Sequence, residues 1–195
     1  MVIQKVLVLA SSSPYRRNLL ERLRIPYLVA TPDVDEAPIR GELPHATALR
    51  LAERKARAVA AGFPAGLVIG SDQVAVLDGE PVSKPGTHEA ALTQLCAMRG
   101  RSIVFHTALC LLDTVTGNCQ VEDVPTTVQF RDYSDAEAAR YLEIERPYDC
   151  AGSAKIEALG IVLVERVVSS DPTALIGLPL IALVTMLKRA GVEVL

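Results

Sequence analysis

Ser11, Ser13, Arg16 and Arg17 follow an apolar run, Val6-Leu7-Val8-Leu9-Ala10, and suit the binding of an anion. Pro14 fits the first helical position, where its missing N–H has no intrahelical partner. Ser13 is then the N-cap, its hydroxyl accepting a backbone N–H. Leu19, Leu20 and Leu23 give the helix a buried stripe. Free N–H groups and the helix dipole favour negative charge, phosphate above all. Arg16 and Arg17 add planar donors matched to phosphate oxygens. The plainer alternative is a capped and solvated turn. A carboxylate, Asp72, closes a second apolar run, Leu67–Ser71. A strand end holds a catalytic carboxylate rigidly; the same residue could hold a metal ion or cap a turn.

The elements that must position these groups alternate and then turn to strands. Lys5–Ala10 reads as a strand, Pro14–Arg24 as a helix and Tyr27–Ala30 as a short strand. A loop from Thr31 to Leu43 is rich in proline and acid. Pro44 opens a long helix with Ala48, Leu51, Ala52, Ala56 and Val59 on one apolar face, ended by Gly62. After the strand Leu67–Ser71, Asp78-Gly79 marks a hairpin turn between Val74–Leu77 and Pro81-Val82. His88–Met98 reads as a helix. Ser102–Asp113 and Gln120–Arg131 are long strands. Ser134 and Glu137 form a capping box for a helix through Glu145. Gly160–Val167 is a further strand and Leu180–Arg189 the last helix. The order predicts an α/β or mixed α+β fold, a twisted mixed sheet flanked by helices.

Five blocks in order resemble the Maf family of nucleoside triphosphate pyrophosphatases: Leu9-Ala10-Ser11-Ser12-Ser13-Pro14-Tyr15-Arg16-Arg17, Val34-Asp35-Glu36, Gly70-Ser71-Asp72-Gln73-Val74, Ser83-Lys84-Pro85 and Gly152-Ser153-Ala154-Lys155-Ile156-Glu157. The resemblance spans nearly the whole chain and implies one Maf-like domain over residues 1–195. It implies an elongated, two-lobed body with a central cleft, like that of inosine triphosphatase. It also implies that Asp72 is the general base for the attacking water, with Lys55 and Lys84 as catalytic cations. Ser11, Ser13, Arg16, Arg17 and Lys155 would bind substrate. Read alone, Lys55 is a surface lysine in a helix. Asp33-Val34-Asp35-Glu36 reads alone as a solvated turn. Beside a phosphate site such acids would repel substrate unless a cation lay between, so Glu36 is the first metal ligand expected beside Asp72, and Asp35 the second. Mg²⁺ or Mn²⁺ is the expected ion, since hard ions take oxygen ligands and keep substrate phosphates close. Four basic groups, Arg16, Arg17, Lys55 and Lys84, would offset much of a triphosphate's charge.

Tyr15, Gln73 and Glu157 fall where branches of the family differ. The branch acting on dTTP and UTP typically carries arginine, threonine and glutamine there. The trio resembles the branch acting on 7-methyl-GTP, except that Tyr15 stands where that branch often has tryptophan. N7-methylation makes guanine cationic, and an aromatic face attracts a stacked cation by about 0.5–2 kcal/mol. Glu157 can only accept, and guanine offers N1–H and an amine. Gln73 can donate to the guanine carbonyl. If the loop is extended, Lys155 and Glu157 share one side and Ile156 faces the core.

The chain has 195 residues, half of them hydrophobic, and a net charge of −3. That balance argues against a grip on long nucleic acid, though not against one nucleotide. No apolar stretch approaches the roughly 20 residues of a membrane span, and Met1–Ala10 reads as a strand rather than a signal segment. Cys96, Cys110, Cys119 and Cys150 include no C-x-x-C pair; Cys110 and Cys119 could face each other across a hairpin as thiols. The expectation is a cytoplasmic enzyme on a small nucleotide, with a homodimer as a family-level expectation. Competing readings are hydrolysis of dTTP, UTP or another nucleotide, and a nucleotide-binding regulator of division.

Overall fold

Residues 5–195 are described in the computed structural model. The elements run β1 (Val6–Ala10), α1 (Pro14–Leu20), β2 (Leu28–Ala30), α2 (Pro44–Ala60), β3 (Gly66–Leu77), β4 (Glu80–Val82), α3 (His88–Met98), β5 (Ser102–Asp113), β6 (Cys119–Phe130), α4 (Asp135–Glu145), β7 (Val164–Ser169) and α5 (Leu180–Arg189). The seven strands among the described residues form one mixed sheet in the order β2-β1-β3-β5-β6-β7, with β4 beside β3. β1 runs parallel to both β2 and β3, while β4 and β7 pair antiparallel with β3 and β6. The expected mixed α/β class is the observed one. No helix among the described residues is long and apolar enough to cross a membrane.

The chain divides into two compact units. The first comprises residues 1–72, 107–124 and 171–195; the second comprises 73–106 and 125–170. Three of the four boundaries therefore fall inside strands, β3, β5 and β6, and the fourth follows β7. In the first unit, Leu7 and Leu9 of β1 join Leu67 and Ile69 of β3, Leu109 and Leu111 of β5, and Leu183 and Leu187 of α5 in one buried cluster. Strand alternation turns Val8, Ala10, Val68 and Gly70 to the opposite face. In the second unit, Leu95 and Met98 of α3, Phe105 of β5, Phe130 of β6, and Tyr141 and Leu142 of α4 are buried. Tyr133 satisfies its buried hydroxyl by donating to the Leu95 carbonyl at 2.7 Å.

Local signals are met closely. Ser13 caps α1 behind Pro14, and Ser134 with Glu137 makes the reciprocal capping box of α4. Asp78 and Gly79 both take positive φ, 51° and 86°, as a two-residue hairpin turn requires. Three assignments shift. The expected helix to Arg24 is α-helical only to Leu20; Glu21–Leu23 tighten into a 3₁₀ turn and Arg24 is left-handed. Leu67–Ser71 and Val74–Leu77 are one twelve-residue strand. Asp72 therefore lies within a strand, not at its end. Gly-Ser-Asp has poor strand propensity, and tertiary pairing overrides it. The strand expected at Gly160–Val167 begins only at Val164, after a 3₁₀ segment Leu159–Leu163. The Lys155 carbonyl accepts from both Ala158 and Gly160 N–H, which holds this stretch in a turn.

The acidic loop is fastened to α2 by Arg50. Its Nε and Nη2 each donate to Glu42 at 2.7 Å, and Thr47 Oγ1 adds a bond of 2.8 Å. These bonds push the Glu42 carboxyl down to about 2. A carboxyl lowered by folding stabilises the native state above its unfolded pKa, and that gain is lost as pH falls through the folded value. Glu42→Gln should therefore lower Tm at pH 7, with the gap to wild type closing as pH approaches about 2. A gap that stays constant over thermal melts from pH 7 to pH 2 would refute the linkage.

Candidate active site

Asp72 and Lys55 meet because β3 and α2 approach closely. Gly70 faces α2 two residues before Asp72; a Cβ there would stand 2.1 Å from the Ala52 carbonyl oxygen and 2.9 Å from the Ala56 nitrogen. Glycine on the strand and alanines on the helix bring the two backbones together. On α2 the buried residues are Ala48, Leu51, Ala52, Lys55, Ala56 and Val59, so Lys55 occupies the apolar stripe itself. The spacing 48, 52, 55, 59 is the signal that marks Lys55 as inward, against the plain reading of a surface lysine.

Lys55 Nζ lies 2.6 Å from Asp72 Oδ1 and 2.6 Å from Glu36 Oε1. The lysine and Asp72 are nearly enclosed, with side chains 8% and 10% exposed, whereas Glu36 is 59% exposed. Burial pushes the Asp72 carboxyl above the usual aspartate range; Lys55 and Arg16 pull it back and Glu36 adds to the rise. The result is a carboxylate more basic than usual, held by a cation, at the mouth of an acidic loop. A proton acceptor of that kind suits activation of a water molecule.

Arg16 belongs to the same electrostatic group. Burial lowers its pKa, while Asp72 and Glu36 oppose the fall. Its Nε donates to the Gly177 carbonyl at 2.8 Å, and Ser71 Oγ donates to the same oxygen at 2.9 Å. The serines ahead of α1 serve the turn: Ser11 Oγ accepts from Ser13 N–H at 3.1 Å, and Ser13 Oγ accepts from Arg16 N–H. Arg17 N–H donates to the Ser13 carbonyl at 3.3 Å. Several N–H groups expected to await an anion are therefore engaged within α1. The Arg17 side chain is exposed, and Tyr15 is partly buried on α1. The Gly177 carbonyl, which receives both Arg16 and Ser71, had no signal in local sequence.

The second unit carries Gln73, Lys84, Lys155 and Glu157. Gln73 follows Asp72 on β3 and points to the opposite face. Lys84 is exposed in the loop before α3. Lys155 N–H donates to the Tyr141 hydroxyl at 2.9 Å, and its Nζ lies 3.7 Å from Glu145 and 3.9 Å from Asp149. The segment after Lys155 turns rather than extends, so strict alternation does not place Glu157; Ile156 is buried as expected and Glu157 is exposed. Cys110 and Cys119 do face each other, Sγ to Sγ at 3.4 Å, as free thiols.

Asp72 and Glu36 are the two carboxylates that could hold a divalent ion. Among the described residues no three His, Cys, Asp or Glu side chains gather as a ready-made cage. Asp72 and Glu36 do converge on one cation, Lys55. Two carboxylates completed by substrate phosphate oxygens are the set that Mg²⁺ ordinarily takes.

A model of the family described as Maf-like protein matches residues 6–190. The chain is similar to the 7-methyl-GTP pyrophosphatase of Cupriavidus metallidurans, at 64% identity over 95% of this chain and 93% of the relative. It is 62% identical to that of Paraburkholderia xenovorans over 97% of this chain and 94% of the relative. With that of Methylobacillus flagellatus the identity is 56%, over 97% and 98%.

Proposed function

The chain belongs to the Maf-like family, and on that premise we propose that it hydrolyses 7-methyl-GTP to 7-methyl-GMP and pyrophosphate, clearing a modified nucleotide from the pool. The observation that supports this most is the Lys55 ammonium between Asp72 and Glu36. In the proposed reaction Asp72 accepts a proton from water as the water oxygen attacks the α-phosphorus; the bond from that phosphorus to the α–β bridging oxygen breaks, and pyrophosphate leaves with the bridging oxygen. Lys55 keeps that carboxylate in place and carries positive charge towards the phosphates. Arg16, Arg17, Lys84 and Lys155 offset charge on the triphosphate, and Ser11 and Ser13 shape the turn beside it. A divalent ion held by Asp72 and Glu36 would supply charge neutralisation at the phosphate oxygens. The cytoplasm is the proposed location.

Pyrophosphate release should be measured over 7-methyl-GTP, GTP, dTTP and UTP with Mg²⁺ or Mn²⁺. The highest kcat/KM is expected for 7-methyl-GTP. Equal turnover of all four would leave only a nucleotide pyrophosphatase of unassigned base. Activity should vanish with a chelator and return with either ion. Glu36→Gln should raise the ion concentration needed for half-activity; an unchanged titration would make the acidic loop a solvated turn.

Tyr15, Gln73 and Glu157 are proposed to read the base. Replacing them with Arg, Thr and Gln should weaken 7-methyl-GTP hydrolysis relative to dTTP or UTP. Glu157→Gln alone should hurt the methylated purine most, because it removes the anion facing a cationic ring. The loss should appear in kcat/KM ratios with the ion requirement unchanged. Equal losses on every nucleotide would assign these residues to fold or phosphates instead.

A further inference from the structure

Gln94, on α3, uses both ends of its amide. Its Nε2 donates to the Ser83 carbonyl oxygen at 3.0 Å, and the Ser153 hydroxyl donates to its Oε1 at 2.5 Å. A carbonyl only accepts, so the NH₂ must face Ser83 and the oxygen must face Ser153. Among the common side chains that fit here, a neutral amide can do both. Ser83 directly precedes Lys84. Ser153 stands two residues before Lys155 and four before Glu157.

The two loops so joined are built to hold a shape. Pro85 stiffens the first, Gly86 N–H donates to the Tyr148 carbonyl at 3.1 Å, and Tyr148 in turn bonds His88 Nδ1 at 3.0 Å. In the second, Gly152 and Ser153 both take left-handed φ, 71° and 55°. A Cβ on Gly152 would meet the Phe105 ring at 3.3 Å. Ser153 is fully buried in a conformation that L-residues other than Gly, Asn and Asp seldom adopt. Its bond to Gln94 helps to hold it there.

We propose that Gln94 is a positioning residue that couples the Lys84 loop to the Lys155–Glu157 loop, setting a phosphate contact and a base contact in one register. The inference rests on the reading above, in which Lys84, Lys155 and Glu157 touch the nucleotide. Neither bond reaches Asp72's proton transfer, so the effect falls on KM and on base discrimination.

Gln94→Met keeps the length of the side chain and removes both bonds. It should raise KM for 7-methyl-GTP by roughly 3- to 10-fold, the usual worth of such bonds, with a smaller change in kcat. The preference for 7-methyl-GTP over dTTP should fall with it. Gln94→Glu keeps the acceptor for Ser153 and sets a carboxylate against the Ser83 carbonyl; KM should rise while discrimination is retained. Ser153→Gly suits the left-handed backbone and removes the hydroxyl; it should lower discrimination. The double variant Gln94→Met/Ser153→Gly should be no worse than the more damaging single, because the two share one bond. Wild-type KM and discrimination in Gln94→Met, or losses that multiply in the double variant, would overturn the coupling. Lys84→Ala and Lys155→Ala separate the two levels. If they cost activity while Gln94→Met does not, the coupling fails and the nucleotide reading stands. If both are harmless, the nucleotide reading of these loops fails and the coupling with it.

Discussion

Asp72→Asn should lower kcat by about 10²–10⁴-fold, the usual worth of a general base, while nucleotide affinity stays close to wild type. The amide keeps the shape of the side chain and an oxygen for Lys55, whose bond to Asp72 is 2.6 Å long. It removes basicity and most of the side chain's affinity for a divalent ion. Glu36 remains beside Lys55 at 2.6 Å, so the buried ammonium is not left without counter-charge. Lys55→Met is the instructive contrast: it leaves a largely buried carboxylate next to an acidic loop, and stranding a buried charge costs about 3–5 kcal/mol. That variant should melt earlier as well as turn over slowly, whereas Asp72→Asn should mainly turn over slowly. Single-turnover kinetics, a binding isotherm and a melt distinguish the two. Near-normal turnover in Asp72→Asn would remove the residue from the chemistry.

The carboxylate–lysine group was partly legible in the sequence. Asp72 was marked by residue type and by the resemblance of its block. Its setting is not legible there, because Gly70-Ser71-Asp72 looks like a strand end and is the middle of β3. Strand pairing is long-range, and three weak strand formers in a row cannot announce it. Lys55 was legible in principle: its place in the 48–52–55–59 stripe is periodic and local. Capping by Ser13, Thr87 and Ser134 was equally local, since each serves a backbone N–H three residues on. Arg16 on the Gly177 carbonyl and Gln94 between Ser83 and Ser153 join residues far apart in the chain. No periodicity carries such pairings. The course of the loop after Lys155 is hidden for a related reason: its turn is held by a carbonyl collecting two N–H groups, which any sequence can do.

The second large effect is expected at a residue with no functional group. In Gly70→Ala the new Cβ would sit 2.1 Å from the Ala52 carbonyl oxygen, 2.9 Å from the Ala56 nitrogen and 3.1 Å from the Ala56 Cβ. Two of those atoms are backbone, so no rotamer change relieves the clash. α2 must move off β3 by roughly 1.3 Å or more to restore ordinary contact, and overpacking of this kind costs about 1–3 kcal/mol or more. Lys55 lies between Ala52 and Ala56 on that helix and moves with it, away from Asp72. A displacement of that size in a positioned group is worth about 100-fold in rate. Gly70→Ala should therefore lower Tm and also lower kcat/KM by about two orders of magnitude in the fraction that remains folded. Gly62→Ala is the control: its added Cβ meets only the Val59 carbonyl oxygen, at an ordinary 3.6 Å. That variant should keep both stability and rate. If Gly70→Ala melts early yet retains wild-type kcat/KM below its melting range, the close approach of α2 serves the core alone. The placement of Lys55 over Asp72 would then need another cause.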